Sequence, residues 1–246
     1  MLENAVSRLS GLWLSIAVAL AAMPSAAALW SRAPAATGRI QGTVVLSPAL
    51  SARKPRIRVY GDYGPVPTPK SPAATEFANV VIYLDSVPTP EDAAAGSHRL
   101  TIQQQGETFV PHVLAVLRGS TVAFPNEDPV FHNVFSLSSA RTFDLGRYPK
   151  GTSKSVRFDR PGTVQVFCHI HSDMSAVVLV LDNPYFTVPA APGQYTIDDV
   201  PAGEYRLVTW HERIKPIVHR VRVRGGETTT LDLNVPLPAP AEPPGR

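Results

Sequence analysis

The chain has 246 residues, 44% of them hydrophobic and 17% charged, which is enough to bury a core in one large domain or two small ones. Its net charge of +3 comes with no basic run interleaved with aromatics, and this excludes nucleic acid as a partner class. The 25 prolines work against long helices and favour short strands joined by loops.

Residues 1–28 read as an export signal: Arg8 supplies the positive charge, "GLWLSIAVALAAM" (11–23) is apolar, and small residues at Ala26 and Ala28 suit cleavage after Ala28. The competing reading is an uncleaved anchor, for which the apolar run is short. The expectation is a periplasmic or secreted protein with no membrane span once the signal is removed. Glu3 and Arg8 cancel, so processing leaves the side-chain charge unchanged.

Next, "RIQGTVVL" (39–46) alternates in strand fashion and is rich in β-branched residues. A proline-rich stretch follows, in which "KPRIRVY" (54–60) holds one short strand candidate. "ANVVIYLDSV" (78–87) reads as a strand and "PTPEDAAAGS" (88–97) as a linker. From Leu100 to Asp182 the pattern tightens. "LTIQQQ", "FVPHVLAVLRG", "STVAFPN", "NVFSLS", "KSVRFDRPG", "TVQVFCH" and "SAVVLVLD" are closely spaced strand candidates, as in a Greek-key β-sandwich. After it, 193–212 and 217–235 read as two hairpin-like pairs, the second turning at Gly225-Gly226. "PLPAPAEPPGR" ends the chain as a tail. The fold class expected is all-β.

The one cysteine, Cys168, lies in "VFCHIHSDM" (166–174). In an exported chain a lone thiol is inert, pairs with another chain, or binds a metal. Cys168, His171 and Met174 offer a thiolate, an imidazole and a thioether on one tight loop. A second imidazole would complete the His₂Cys set with a weak axial Met that suits copper. Zinc sites favour Cys and His without Met, and structural ones use more than one Cys. His132, 36 residues before Cys168 and followed by Asn133, is the candidate. The bland readings are a buried cysteine acting as a small hydrophobe, a hydrogen-bonded structural His132, and Met174 as core packing. A Cys–His nucleophile lacks a supporting motif.

These residues resemble the cupredoxin family, the blue copper proteins such as plastocyanin and amicyanin. The matching motifs are Gly119-Ser-Thr-Val-Ala-Phe-Pro-Asn126, then His132-Asn133, then Pro161-Gly-Thr-Val-Gln-Val-Phe-Cys168-His-Ile-His171-Ser-Asp-Met174. The resemblance covers about residues 100–183. It implies one type-1 copper ion held by His132, Cys168 and His171 with Met174 axial, and Asn133 tying the two ligand loops together. Phe124, with Phe131, Phe135 and Phe167, is expected to wall the site. His169 departs from a simple ligand run and, next to Cys168 on an extended segment, should point the other way.

The end of the chain resembles a second family. "GQYTIDDVPAGEYRLVTW" (193–210) is similar to the carboxypeptidase regulatory-like (transthyretin-like) β-sandwich pattern G-x-F/Y-x-I/L-x-x-x-P-x-G-x-Y-x-L. The strands that should precede it appear at 38–46 and 79–84, so residues 39–99 plus 184–236 would form one discontinuous sandwich interrupted by the cupredoxin unit. The rival layout has the early strands extending the cupredoxin sheet. Trp210-His211-Glu212 reads as an aromatic strand end, and His98, His112, His211 and His219 show no ligand spacing. Chains of this combined kind resemble exported methylamine-utilisation or plastocyanin-like proteins.

Three functions follow as expectations. The leading one is an extracytoplasmic electron carrier, not an enzyme, cycling Cu(I)/Cu(II) with a redox protein partner. The second is a copper-handling or docking module without that role. The third, a metal-free surface module, would leave His132 and Cys168 far apart.

Overall fold

The computed structural model describes residues 36–48, 76–87 and 100–236. The export signal, the strand candidate at 54–60, the linker at 88–97, His98 and the proline-rich tail lie outside these residues.

Every named element among the described residues is a strand, as expected where apolar residues alternate and proline interrupts any longer period. β1 (Thr37–Leu46) and β2 (Val81–Asp85) come first. The short β3 (Leu100–Thr101), β4 (Gln103–Gln104) and β5 (Phe109–Val110) lead into β6 (Val113–Leu117), β7 (Ser120–Pro125) and β8 (His132–Ser138). β9 (Arg141–Tyr148), β10 (Ser153–Phe158), β11 (Gly162–Phe167) and β12 (Ser175–Leu181) follow. The chain closes with β13 (Phe186–Thr187), β14 (Gln194–Pro201), β15 (Gly203–Trp210), β16 (Ile217–Val223), β17 (Thr228–Thr230) and β18 (Leu233–Val235).

The middle strands form one sandwich. A sheet ordered β10-β7-β3 and a sheet ordered β6-β12-β11-β8-β9 enclose a core that includes Ile102, Phe124, Val134, Phe158, Val164, Val166 and Val178. The outer strands form another. β1 pairs antiparallel with β14 and parallel with β17 and β18, and this sheet packs on the sheet β13-β2-β15-β16. Its core joins Ile40, Val44 and Ile197 from one sheet to Ile82, Leu84 and Leu207 from the other. Strands that precede the middle sandwich in sequence therefore pair with strands that follow it.

A third apolar cluster joins the two sandwiches: Val113, Val177, Leu179 and Leu181 meet Val81 and Trp210. β12 accounts for it. Its run Ser-Ala-Val-Val-Leu-Val-Leu is apolar on both faces, so Ala176, Val178 and Val180 fill the middle core while Val177, Leu179 and Leu181 face the outer sandwich. A continuous apolar strand is the pattern of one buried on both sides.

One sequence expectation changes. Neither 193–212 nor 217–235 is a hairpin. β14 and β15 lie in different sheets, as do β16 and β17, and the true antiparallel hairpin is β15 with β16. Alternation states which residues face inward, but a short Gly-containing turn serves a crossing between sheets as well as a hairpin. The pattern Pro201-x-Gly203-x-Tyr205-x-Leu207 builds the first crossing. The Tyr205 hydroxyl donates back to the Pro201 carbonyl (2.9 Å), its ring covers the space where a Gly203 side chain would lie, and Leu207 enters the core. β9 adds a strand without a clear sequence signal: Arg-Thr-Phe-Asp-Leu-Gly-Arg-Tyr is a half-exposed edge strand of weak apolar contrast.

Candidate metal centre

β11 and β12 pair right up to the loop, Phe167 at the end of β11 opposite Ser175 at the start of β12, and residues 168–174 form the connection. Two backbone bonds close it: the Cys168 N–H donates to the Met174 carbonyl (3.2 Å) and the Met174 N–H to that of His171 (3.1 Å). The loop folds Cys168 and Met174 into the middle core, where both are buried. β8 joins β11 through Phe135 opposite Phe167 and delivers His132 to the same place.

The Cys168 Sγ stands 3.9 Å from His132 Nδ1 and 3.9 Å from His171 Nδ1. The two imidazoles sit edge to face with centroids 4.8 Å apart, and the three potential donor atoms lie within 4.8 Å of one another. His132 and Cys168 are buried while His171 is half-buried. Among the described residues no other group of His, Cys, Asp and Glu gathers this way.

The supports of this cluster come from residues that spacing alone did not single out. His132 Nε2–H donates to Asp128 (2.8 Å), which fixes the ring and leaves Nδ1 as the nitrogen that faces Sγ. Asp128 is itself held by the β4–β5 turn, where Gly106 and Glu107 both have positive φ (63° and 55°) and donate their N–H groups to its carboxylate at 2.6 and 2.9 Å. Asn126 accepts from the Asp128 N–H (2.9 Å) and donates to the Val130 and Tyr148 carbonyls. A carboxylate four residues before His132, after an Asn, was the available signal.

Asn133 links the two ligand segments. Its side-chain oxygen accepts from the His169 N–H (3.3 Å), its backbone N–H points to the Cys168 sulfur, and its side-chain nitrogen donates to Asp144 on β9 (2.7 Å). The bond from the Gly146 N–H, and a second from Asn133, hold Asp144 below the usual carboxylate range. Burial pushes the Cys168 thiol up, yet the bonds from His132 and from the backbone N–H groups of Asn133, Ile170 and His171 outweigh it and bring the thiol down to about 6. Burial likewise opposes charge on His132, but Cys168 and Asp128 together raise its pKa above the ordinary histidine value.

Of the four phenylalanines expected around the site, Phe124 is fully buried in the same core as Cys168 and Met174. The others lie elsewhere. Phe131 is 56% exposed, and Phe135 packs against Phe167 and stacks on His169, with ring centroids 3.8 Å apart and planes 4° from parallel. The period of two that sends Cys168 inward sends Phe167 and His169 outward. His169 thus stays out of the donor cluster. His112 and His211 are both engaged by carboxylates, Glu212 and Glu76 respectively.

No protein-family model matches the chain, and no curated protein matches it. Solved structures do. A purple cupredoxin from Nitrosopumilus maritimus matches with 21% identity over 33% of this chain and 99% of its own, at a TM-score of 0.31. A reduced Cu(I) form of an amicyanin mutant matches with 20% identity over 41% of this chain and 98% of its own, at a TM-score of 0.33. A Cu-containing nitrite reductase from Thermus scotoductus SA-01 matches with 26% identity over 39% of this chain, at a TM-score of 0.34; only 25% of that enzyme is covered.

Proposed function

We propose that the protein is an exported type-1 copper electron carrier, with His132, Cys168 and His171 as equatorial ligands and Met174 as the axial one. The observation that carries this reading is the convergence of two imidazole Nδ1 atoms on one buried sulfur, within 4.8 Å of one another. The donor set fits the ion. One thiolate and two neutral imidazoles, with a thioether on the same loop, form a soft-to-borderline group characteristic of blue copper. A thiol with a pKa near 6 is largely deprotonated at neutral pH, as a thiolate ligand must be. Bound copper would supply the one-electron Cu(I)/Cu(II) couple.

The chain's own part is to hold the donors still. Asp128 keeps the His132 tautomer, Asn133 ties β8 to the Cys168 segment, and two backbone bonds lock the loop. Such rigidity suits both copper oxidation states to nearly one geometry, so electron exchange requires little rearrangement. The partner in this reading is another redox protein, and the location is the periplasm or the exterior. No helix of the described residues is long and apolar enough to cross a membrane. The domain plan belongs to the same proposal: a cupredoxin unit at 100–183 inserted into a transthyretin-like sandwich formed by 39–99 and 184–236. The pairing of β1 with β14, β17 and β18 supports it.

Copper loading followed by visible absorption and EPR spectroscopy tests the reading. The expected result is an intense sulfur-to-Cu(II) charge-transfer band that disappears in Cys168→Ser. A colourless Cu(II) complex, or a band that survives Cys168→Ser, overturns it.

A further inference from the structure

The motif Trp210-His211-Glu212 ends β15 in the outer sandwich, and the proposed copper site makes no direct use of it. Its three side chains nevertheless act in one place. Trp210 joins Val113 and Val177 in the apolar cluster between the sandwiches. His211 is fully buried, and its Nε2 bonds Glu76 at 2.8 Å, just before β2. Its Nδ1 accepts from the Arg213 N–H (3.2 Å), so the Glu76 bond is donated by Nε2–H and the turn after β15 is pinned. Glu212 then reaches the other way, to His112 of the middle sandwich (3.0 Å), which lies between β5 and β6.

His112 completes the connection. Its Nδ1 stands 2.9 Å from the Ser175 carbonyl, and its own carbonyl accepts from the Val177 N–H (2.7 Å). Ser175 follows Met174 and forms, with Phe167, the pair from which the 168–174 loop springs. The two partners of the His112 ring, a carbonyl and a carboxylate, are both acceptors, so the protonated imidazole is the form that donates to both and bridges them as a cation. A charged donor of this kind grips both sides at once.

We infer that Trp210-His211-Glu212 and His112 form a latch through which the outer sandwich fixes the base of the 168–174 loop, making His112 and Glu212 positioning residues for the donor cluster. The outer sandwich thus shapes the site without contributing a ligand. The inference rests on the proposed metal reading for its purpose, but its geometry exists without a metal.

Amide hydrogen exchange on the full-length metal-free protein tests the latch directly. His112→Ala and, as a milder change that preserves volume, Glu212→Gln should each speed exchange in residues 168–175 by about fivefold or more. Leu181→Ala, at the far end of the same interface, should lower the unfolding temperature without singling out the loop. Exchange in 168–175 that matches wild type in both latch variants overturns the latch whatever the copper spectrum shows. In copper-loaded protein, the latch variants should shift the relative intensities of the visible bands, which a general loss of stability does not do. Unshifted bands in a wild-type-like blue protein count against the latch. Absence of a blue band in wild type removes the metal reading and leaves the exchange result to decide.

Discussion

A histidine with both ring nitrogens on acceptors has a definite dependence on pH. Burial opposes the charge on His112. The bond and charge of Glu212, the Ser175 carbonyl and the charge of Glu76 outweigh burial and raise its pKa above the ordinary value. A raised folded-state pKa contributes stability that is fully present below the unfolded value of about 6.5 and is lost as pH rises through the folded value. The stability gap between wild type and His112→Gln, followed by urea denaturation, is therefore expected to be largest in mildly acidic buffer and to narrow as pH rises through the raised folded value. A gap that widens with pH would contradict the bridge. At this scale the sequence already put Cys168, His171 and Met174 on one loop, because their three-residue spacing is local information. It did not show Asp144 or His112, whose partners lie 11 and 100 residues away.

At the scale of strands, β1 shows how a repeated glycine works. Gly42 lies where any Cβ would run into the Leu231 carbonyl and the Tyr195 ring, and Gly38 is pressed by Val223 and Glu227. Neither has a positive φ, so close approach between backbones, not strain, excludes a side chain. The segment between β17 and β18 crosses β1 here, with the Leu231 N–H on the Gln41 carbonyl (2.9 Å). Gly42→Ala should therefore cost about 1–3 kcal/mol through overpacking, measured as a lower denaturation midpoint. An unchanged midpoint would mean that the crossing does not lie against β1. The strands themselves were largely legible in the sequence, since Ile40 and Val44, or Ile197 and Leu207, announce an inward face. Their neighbours were not. β14 pairs with β1 across more than a hundred residues, and nothing within 193–212 states that preference.

At the scale of the molecule, the apolar cluster between the sandwiches makes β12 common property. Val178 and Val180 belong to the middle core, while Val177, Leu179 and Leu181 belong to the interface. The outer sandwich closes only by pairing strands from both sides of the middle one. Melting either sandwich would strip one face of β12 and expose Val81 and Trp210 with it. Calorimetry of the metal-free protein is accordingly expected to show one cooperative unfolding transition. Two transitions separated in temperature would show that the sandwiches are energetically independent and the interface weak.

The all-β class, the inward faces of most strands, and the order His132, Cys168, His171, Met174 can all be read along the chain. The strand faces and the Cys168, His171, Met174 series are written in short-range spacing that the periods of strand and loop translate directly. Long-range packing sets the rest: 193–212 and 217–235 cross between sheets, Phe135 stacks on His169 outside the site, and Glu212 reaches His112 beside the base of the loop. Those choices depend on which surfaces meet once both cores form. The free energy that selects them is spread over residues far apart in the chain, so no single stretch carries it.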